Sequence, residues 1–109
     1  MDAVVIEVDD TGALRVALRG EVDFTSAPRM TAAIRQAVAD RRPGAVHVDL
    51  AEVSFLDSSG IGVLVDVMKA AGQAGAPFVV EHARGMVYDQ LSIAGLIEAF
   101  RMSRPPADA

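Results

Sequence analysis

One tetrapeptide, Asp57-Ser58-Ser59-Gly60, separates an extended pattern from a helical one. Ahead of it, Ala45-Val46-His47-Val48-Asp49-Leu50 reads as a strand, followed by a short apolar piece, Val53-Ser54-Phe55-Leu56. Behind it, Ile61, Leu64, Val65, Met68 and Ala71 recur at helical spacing, and Gly72 and Gly75 close the helix. Pro77-Phe78-Val79-Val80-Glu81 then reads as another strand. Strand–helix–strand units of this kind join parallel neighbours by right-handed crossovers. The joint therefore predicts a sheet with helices packed on it.

The rest of the chain fits that frame. Ala3–Val8 is a strand, Asp9-Asp10-Thr11-Gly12 the turn after it, and Leu14–Arg19 alternates apolar and charged residues like a strand with one wet face. These two form an antiparallel hairpin. From about Thr25, Met30, Ala33, Ile34, Ala37 and Val38 mark a helix, with Thr25 or Ser26 as its cap, Pro28 in its first turn, and Pro43-Gly44 ending the connection. Met86, Leu91 and Leu96 mark a third helical region, set at Arg84 to Ile93, and Ile97 to Met102 is expected to return as a short edge strand. The predicted architecture is α/β: a single mixed β-sheet with an antiparallel first hairpin, strand–helix crossovers and helices packed on the sheet. Residues 1–102 form one domain, and the proline-bearing stretch 103–109 is expected to be a flexible tail. In such sheets functional loops gather at the carboxyl ends of the parallel strands. Here those are Gly20–Phe24 and Phe55–Gly60.

Composition narrows the function. The 109 residues are 51% hydrophobic but only 5% aromatic, so aliphatic side chains fill the core of one domain. Ten Lys and Arg against 15 Asp and Glu give a net charge of −5, which argues against a basic surface for nucleic acid. The absence of cysteine excludes disulfides, a thiol nucleophile and thiolate metal sites. The start lacks the basic and apolar regions of a signal peptide, and the apolar run from Ile61 to Val67 is broken by Asp66. That is far short of the roughly 20 residues of a membrane span. A cytoplasmic protein without membrane insertion is expected.

The tetrapeptide carries the most chemistry. Asp and Ser are preferred helix caps, and Gly permits a tight turn. The same position suits a phosphoserine, because a helix start offers unpaired N–H groups and a favourable dipole. Enzyme readings fare worse. A nucleophile elbow needs glycine two positions either side of the serine, but Leu56 precedes Ser58 by two, and His47 and His82 read as structural or surface residues. Two scattered histidines do not make a metal site, and Gly60-Ile61-Gly62 is a weak nucleotide signal that also fits close helix–sheet packing. A phosphoaspartate receiver would need Asp9-Asp10 to converge on Asp57 near a cation, yet these lie in the hairpin turn and the only lysine, Lys69, lies inside the second helix. Neither catalysis nor a bound cofactor is expected. Arg41-Arg42 reads as a solvated helix end. Val22 and Phe24 flank the first loop either as partner contacts or as core. Val63, Val67 and Ala70 lie off the main stripe, so the second helix is either buried on two sides or part of an interface.

Gly20-Glu21-Val22-Asp23, Val48-Asp49-Leu50 and the run Val53–Leu64 through Asp57-Ser58-Ser59-Gly60-Ile61-Gly62 resemble the STAS-domain family of anti-sigma factor antagonists. The likeness runs from roughly Val4 to Met102. It implies a STAS fold and a nonenzymatic regulator that binds an anti-sigma factor serine kinase, so that a sigma factor is released. It implies phosphorylation of Ser58 by that kinase and its reversal by a metal-dependent serine phosphatase. Ser59 is then the neighbouring structural hydroxyl, Gly60 permits the turn, and Asp23 is the acidic residue of the adjacent loop; Asp23, Asp57, Ser58, Ser59 and Gly60 form the expected partner surface. The alternative that the resemblance leaves open is a noncatalytic STAS subunit of a transporter or sensory complex.

Overall fold

The computed structural model describes residues 3–103. Its elements are β1 (Ala3–Val8), β2 (Ala13–Val22), α1 (Ala27–Arg41), β3 (Ala45–Leu56), α2 (Ser58–Gln73), β4 (Phe78–Glu81) and α3 (Gly85–Ile93). The four strands lie in chain order, β1 antiparallel to β2 and the other two pairs parallel. This is the single mixed sheet that the alternation of strand and helix patterns requires.

The hairpin turns through a three-residue loop. Gly12 takes φ +85°, its N–H donates to Asp9 O, and the Asp9 N–H donates to Ala13 O. Only glycine enters that left-handed conformation without steric cost, which is why the turn ends there. The Asp9 carboxylate accepts from the Thr11 hydroxyl, from Arg15 Nε and from two backbone N–H groups. With the Thr11 hydroxyl foremost, these bonds hold Asp9 far below the usual carboxylate range.

Apolar residues of the strands point to one side. Leu14, Val16, Leu18, Val46, Val48, Leu50, Phe78 and Val80 are buried against Met30, Ile34 and Val38 of α1 and Leu64, Val67 and Ala71 of α2. Two right-handed crossovers leading in the same direction place both helices on that face. The opposite face carries Arg15, Arg19, His47, Asp49 and Glu81. His47 Nδ1 lies 3.3 Å from Glu81 Oε1, and His82 Nδ1 lies 3.1 Å from Asp49 Oδ1. Both histidines therefore stand next to a carboxylate on the open face of the sheet.

Several expected boundaries shift, each for a local reason. β2 runs on to Val22 rather than ending at Arg19. Val53–Leu56 is continuous with β3, because two register shifts each insert one extra residue on the β3 side of the pairing. Each such bulge moves the inward side chain by one position, so Val48, Leu50, Val53 and Leu56 all face the core although their spacing breaks the period of two. α1 ends with Arg42, at φ 46°, in the left-handed cap position ahead of Pro43-Gly44. α2 is turned from the predicted stripe: Val63, Leu64, Val67, Ala70 and Ala71 are buried, whereas Ile61, Val65 and Met68 are half-buried. The off-stripe residues are covered, so the helix is buried on two sides. α3 begins one residue later than expected, with Arg84 at its cap, and Met86 is exposed.

The expected edge strand at Ile97–Met102 is absent. The segment forms turns, with Phe100 N–H donating to Leu96 O and Met102 N–H to Ile97 O. Its apolar residues, Ile97, Ala99, Phe100 and Met102, do not alternate cleanly, and Gly95 at φ +76° reverses the chain. The segment nonetheless reaches the β4 edge, where Val80 N–H donates to Phe100 O at 2.9 Å. The Phe100 ring is fully buried edge-on against Phe78, centroids 5.6 Å apart. Apart from Ser103, the proline-bearing tail lies outside the described residues.

Candidate functional site

β2 and β3 finish in register, Val22 opposite Leu56, so Asp23 and Asp57 leave the sheet side by side. The Asp57 N–H donates to Val22 O, tying the joint after β3 to the end of β2. α2 then starts with very little room. A Cβ on Gly60 would stand 2.2 Å from Val22 O and 2.6 Å from Leu56 Cδ2. Glycine is required there because helix and strand backbones nearly touch, and its role is close packing as much as turning.

Asp57 is extended and caps α2, its Oδ1 accepting from Gly60 N at 3.0 Å while its carbonyl accepts from Ile61 N. The cap is thus Asp57, not Ser58. Ser58 becomes the first helical residue; it is exposed, and its hydroxyl has no hydrogen-bond partner among the described residues. Ser59 is half-buried and lines a groove between α1 and α2 with Pro28, Thr31 and Asp66.

The Asp23 loop is organised differently. The Asp23 carboxylate accepts from the Thr25 hydroxyl, from Thr25 N at 2.9 Å and from Ser26 N. These bonds, the Thr25 hydroxyl foremost, lower its pKa and keep it ionised at neutral pH. Ser26 stands at the N-cap position of α1, yet its hydroxyl makes no capping bond. It donates to Glu21 O and accepts from Asp23 N instead. At 1% exposure it is buried inside the loop. The expectation that Thr25 or Ser26 caps α1 is therefore corrected: their polar groups stitch the turn together.

α3 contributes a wall that the sequence alone does not reveal. Gln90 Nε2 donates to Leu56 O at 2.8 Å, fixing α3 against the end of β3. Leu56, Asp57, Ser58, Ile61, Gln90, Ile93 and Ala94 line a shallow groove of about 300 Å³. Ile93 is 88% exposed on its rim. An isoleucine ending a short helix was the available signal. Of the apolar pair flanking the first loop, Val22 is core and Phe24 is 73% exposed. Phe55 pairs with Glu21 on the open face of the sheet and is also exposed. The free hydroxyl thus stands beside Asp57 and shares a groove with the exposed Ile93, with the Asp23 loop leaving the neighbouring strand, a composition suited to protein contact.

The other groups weighed from the sequence lie away from Ser58. Neither histidine lines the Ser58 groove. Asp9 sits at the opposite end of the sheet, where Gly12 O accepts from Gly44 N ahead of β3, so Asp9 and Asp57 do not converge. Lys69 lies three turns along α2.

Comparison with known proteins gives a consistent result. The model of the STAS domain matches residues 3–109. The anti-sigma-F factor antagonist RsfB of Mycobacterium tuberculosis is 34% identical over 110 residues, covering 99% of this chain and 88% of its own. The anti-sigma-B factor antagonist of Listeria monocytogenes is 30% identical over 95 residues, 86% of this chain and 82% of its own. The crystal structure of an anti-sigma factor antagonist from Mycobacterium paratuberculosis superposes with a TM-score of 0.84 at 32% identity, covering 99% of this chain and 89% of that one. In sequence and in fold, the chain belongs to the STAS-domain family of anti-sigma factor antagonists.

Proposed function

We propose that this protein binds a kinase-type anti-sigma factor in the cytoplasm, so that a sigma factor is released, and that phosphorylation of Ser58 switches it off. The observation that carries this reading is the division of labour between adjacent residues. Asp57 holds the helix cap, and the Ser58 hydroxyl stands exposed and unbonded beside it. A kinase can engage that oxygen without dismantling the α2 start. In the transfer the Ser58 Oγ forms a bond to the γ-phosphorus of ATP held by the partner, ADP leaves, and the hydroxyl proton passes to a base of the kinase. A metal-dependent serine phosphatase reverses the change by hydrolysis, releasing inorganic phosphate. Both ATP and metal belong to the partners.

The switch works by charge. A phosphoserine adds nearly two negative charges at neutral pH. Here they would stand beside Asp57 and the neighbouring Asp23, whose pKa is already lowered. A partner surface shaped around a neutral hydroxyl and the Ile93 rim then meets unpaired charge, a loss of about 2–5 kcal/mol where the contact is desolvated. The host fold tolerates the group, because it lies at a helix N-terminus and outside the core.

The test is incubation with kinase-type anti-sigma factors and ATP, followed by mass spectrometry and binding measurements. One phosphate is expected, on Ser58. Ser58→Ala should bind and remain unmodified, and Ser58→Asp should bind at least about tenfold more weakly, the equivalent of 1.4 kcal/mol. Phosphate on another residue, or equal binding by Ser58→Asp, would overturn the reading. Binding to a transporter subunit in place of any anti-sigma factor would replace it.

A further inference from the structure

The sheet treats its two edges unequally. The β4 edge is covered by the Ile97–Met102 turns, whose Phe100 carbonyl takes the Val80 N–H. Among the described residues the β1 edge has β2 as its only neighbouring strand. In the hairpin the Asp9 N–H bonds to Ala13 O, and antiparallel bonding alternates from pair to pair. Glu7 and Val5 therefore exchange bonds with β2, while the N–H and C=O groups of Val4, Ile6 and Val8 point away from the sheet. No hydrogen bond takes them up among the described residues. Natural edge strands are commonly protected by lysine, proline or a bulge. β1, Ala-Val-Val-Ile-Glu-Val, has neither lysine nor proline, its one charge is Glu7 on the face away from the helices, and its six-residue register with β2 is unbroken.

We infer that β1 is a homodimerisation edge, pairing antiparallel with β1 of a second copy about a two-fold axis through Ile6. The choice of occupant comes from self-complementarity. With Ile6 opposite the partner's Ile6, Val4 faces the partner's Val8 and Val8 faces the partner's Val4. These three positions carry the outward backbone groups, so every N–H meets a carbonyl. Their side chains lie on the helix-bearing side of the sheet, paired with Val16, Leu18 and Leu14; Val4 and Ile6 are half-buried and Val8 is 43% exposed. On the other side Glu7 faces the partner's Val5, so the two carboxylates are not directly opposed. An isologous contact of this kind closes at two copies and does not propagate. It is smaller than the interface of roughly 1,600 Å² found in stable complexes, so the dimer is reversible. It joins two sheets into one and leaves both Ser58 loops free, offering any partner two sites at once. The inference does not depend on what binds at Ser58.

Two measurements on the full chain test it. Sedimentation of the wild type should show a concentration-dependent rise from 11.4 kDa toward twice that mass. Val8→Lys places a charge opposite the partner's Val4 at an already exposed position, and should weaken association at least tenfold with an unchanged melting curve. Because the chain has no cysteine, Val5→Cys and Glu7→Cys variants read the register directly. An equimolar mixture should cross-link on mild oxidation, whereas each variant alone should cross-link far less. A wild type without self-association tighter than about 1 mM, a dimer indifferent to Val8→Lys, or equal cross-linking by one variant alone would overturn the proposal.

Discussion

The loops that follow β2 and β3 lie side by side and both begin with aspartate, yet they direct their hydroxyls in opposite ways. After β2, Asp23 gathers the Thr25 hydroxyl and two N–H groups, and Ser26 is sealed beneath them between Glu21 O and Asp23 N. After β3, Asp57 satisfies the helix start alone, and Ser58 is left outward. The first loop is a closed frame, in which modifying Ser26 would require opening the turn. The second leaves its serine hydroxyl outside the hydrogen bonds that hold the turn. Chemical availability here depends on which hydroxyl its aspartate leaves unused. Gly60 couples the two loops, since its bare Cα lets α2 press against the last carbonyl of β2.

That coupling gives the largest expected effect. Gly60→Ala drives a methyl group into Val22 O, which is backbone and cannot swing aside, so the first turn of α2 must lift. A loss of about 2–3 kcal/mol or more is expected in urea unfolding. Gly62, two residues on, has no atom within 4 Å of the added Cβ, and Gly62→Ala should gain about 0.5–1 kcal/mol from helix propensity. Similar results for both glycines would break the picture of a tight joint. Next in size, Ser26→Ala removes a buried hydroxyl together with its bonds to Asp23 N and Glu21 O and should cost about 1–3 kcal/mol. Ser58→Ala, on an exposed and unbonded hydroxyl, should stay within about 0.5 kcal/mol. Equal losses at the two serines would erase the distinction between a closed and a presenting loop.

Much of this was legible before any coordinates. The hairpin declares itself through Gly12 and the crossovers through the change of period at Asp57, and the Asp57–Gly60 motif, being local, marks the candidate site in the sequence. Tertiary effects were less legible. The bulges in β3 split one strand into two apparent pieces, because a period of two cannot survive an inserted residue. The stripe on α2 was misplaced because a helix packed against both a sheet and α1 has no single apolar face. Phe100 lies in the stretch expected to be an edge strand, but it is buried from a turn, which has no period to read. Ser26 and Ser58 were indistinguishable as residue types; only the neighbouring backbone decides that one faces inward. The α3 wall at Gln90 and Ile93 depends on how the last helix closes over β3, a relationship between residues 34 positions apart.

Two smaller effects compare the aspartates directly. Asp57→Ala removes the cap on α2 and should cost about 1 kcal/mol, a value measurable by thermal unfolding at neutral pH. Asp23 acts through its charge, so its contribution should follow pH. Its pKa is lowered in the folded protein, chiefly by the Thr25 hydroxyl, whereas the unfolded chain has the ordinary value of about 3.9. The stabilisation is therefore full above about pH 4 and is lost as the pH falls through the lowered folded value. Asp23→Asn keeps an acceptor for Thr25 but no titrating group. The difference in stability between wild type and this variant should be constant near neutrality and shrink in acid. Other carboxylates, Asp9 at the far end of the sheet included, titrate in both proteins and cancel to the extent that the sites are independent. A difference that persisted undiminished into acid would mean that the charge on Asp23 does not hold Thr25 and Ser26 in place. The closed loop would then rest on the buried Ser26 hydroxyl alone, and Asp23 would be as available to a partner as Ser58.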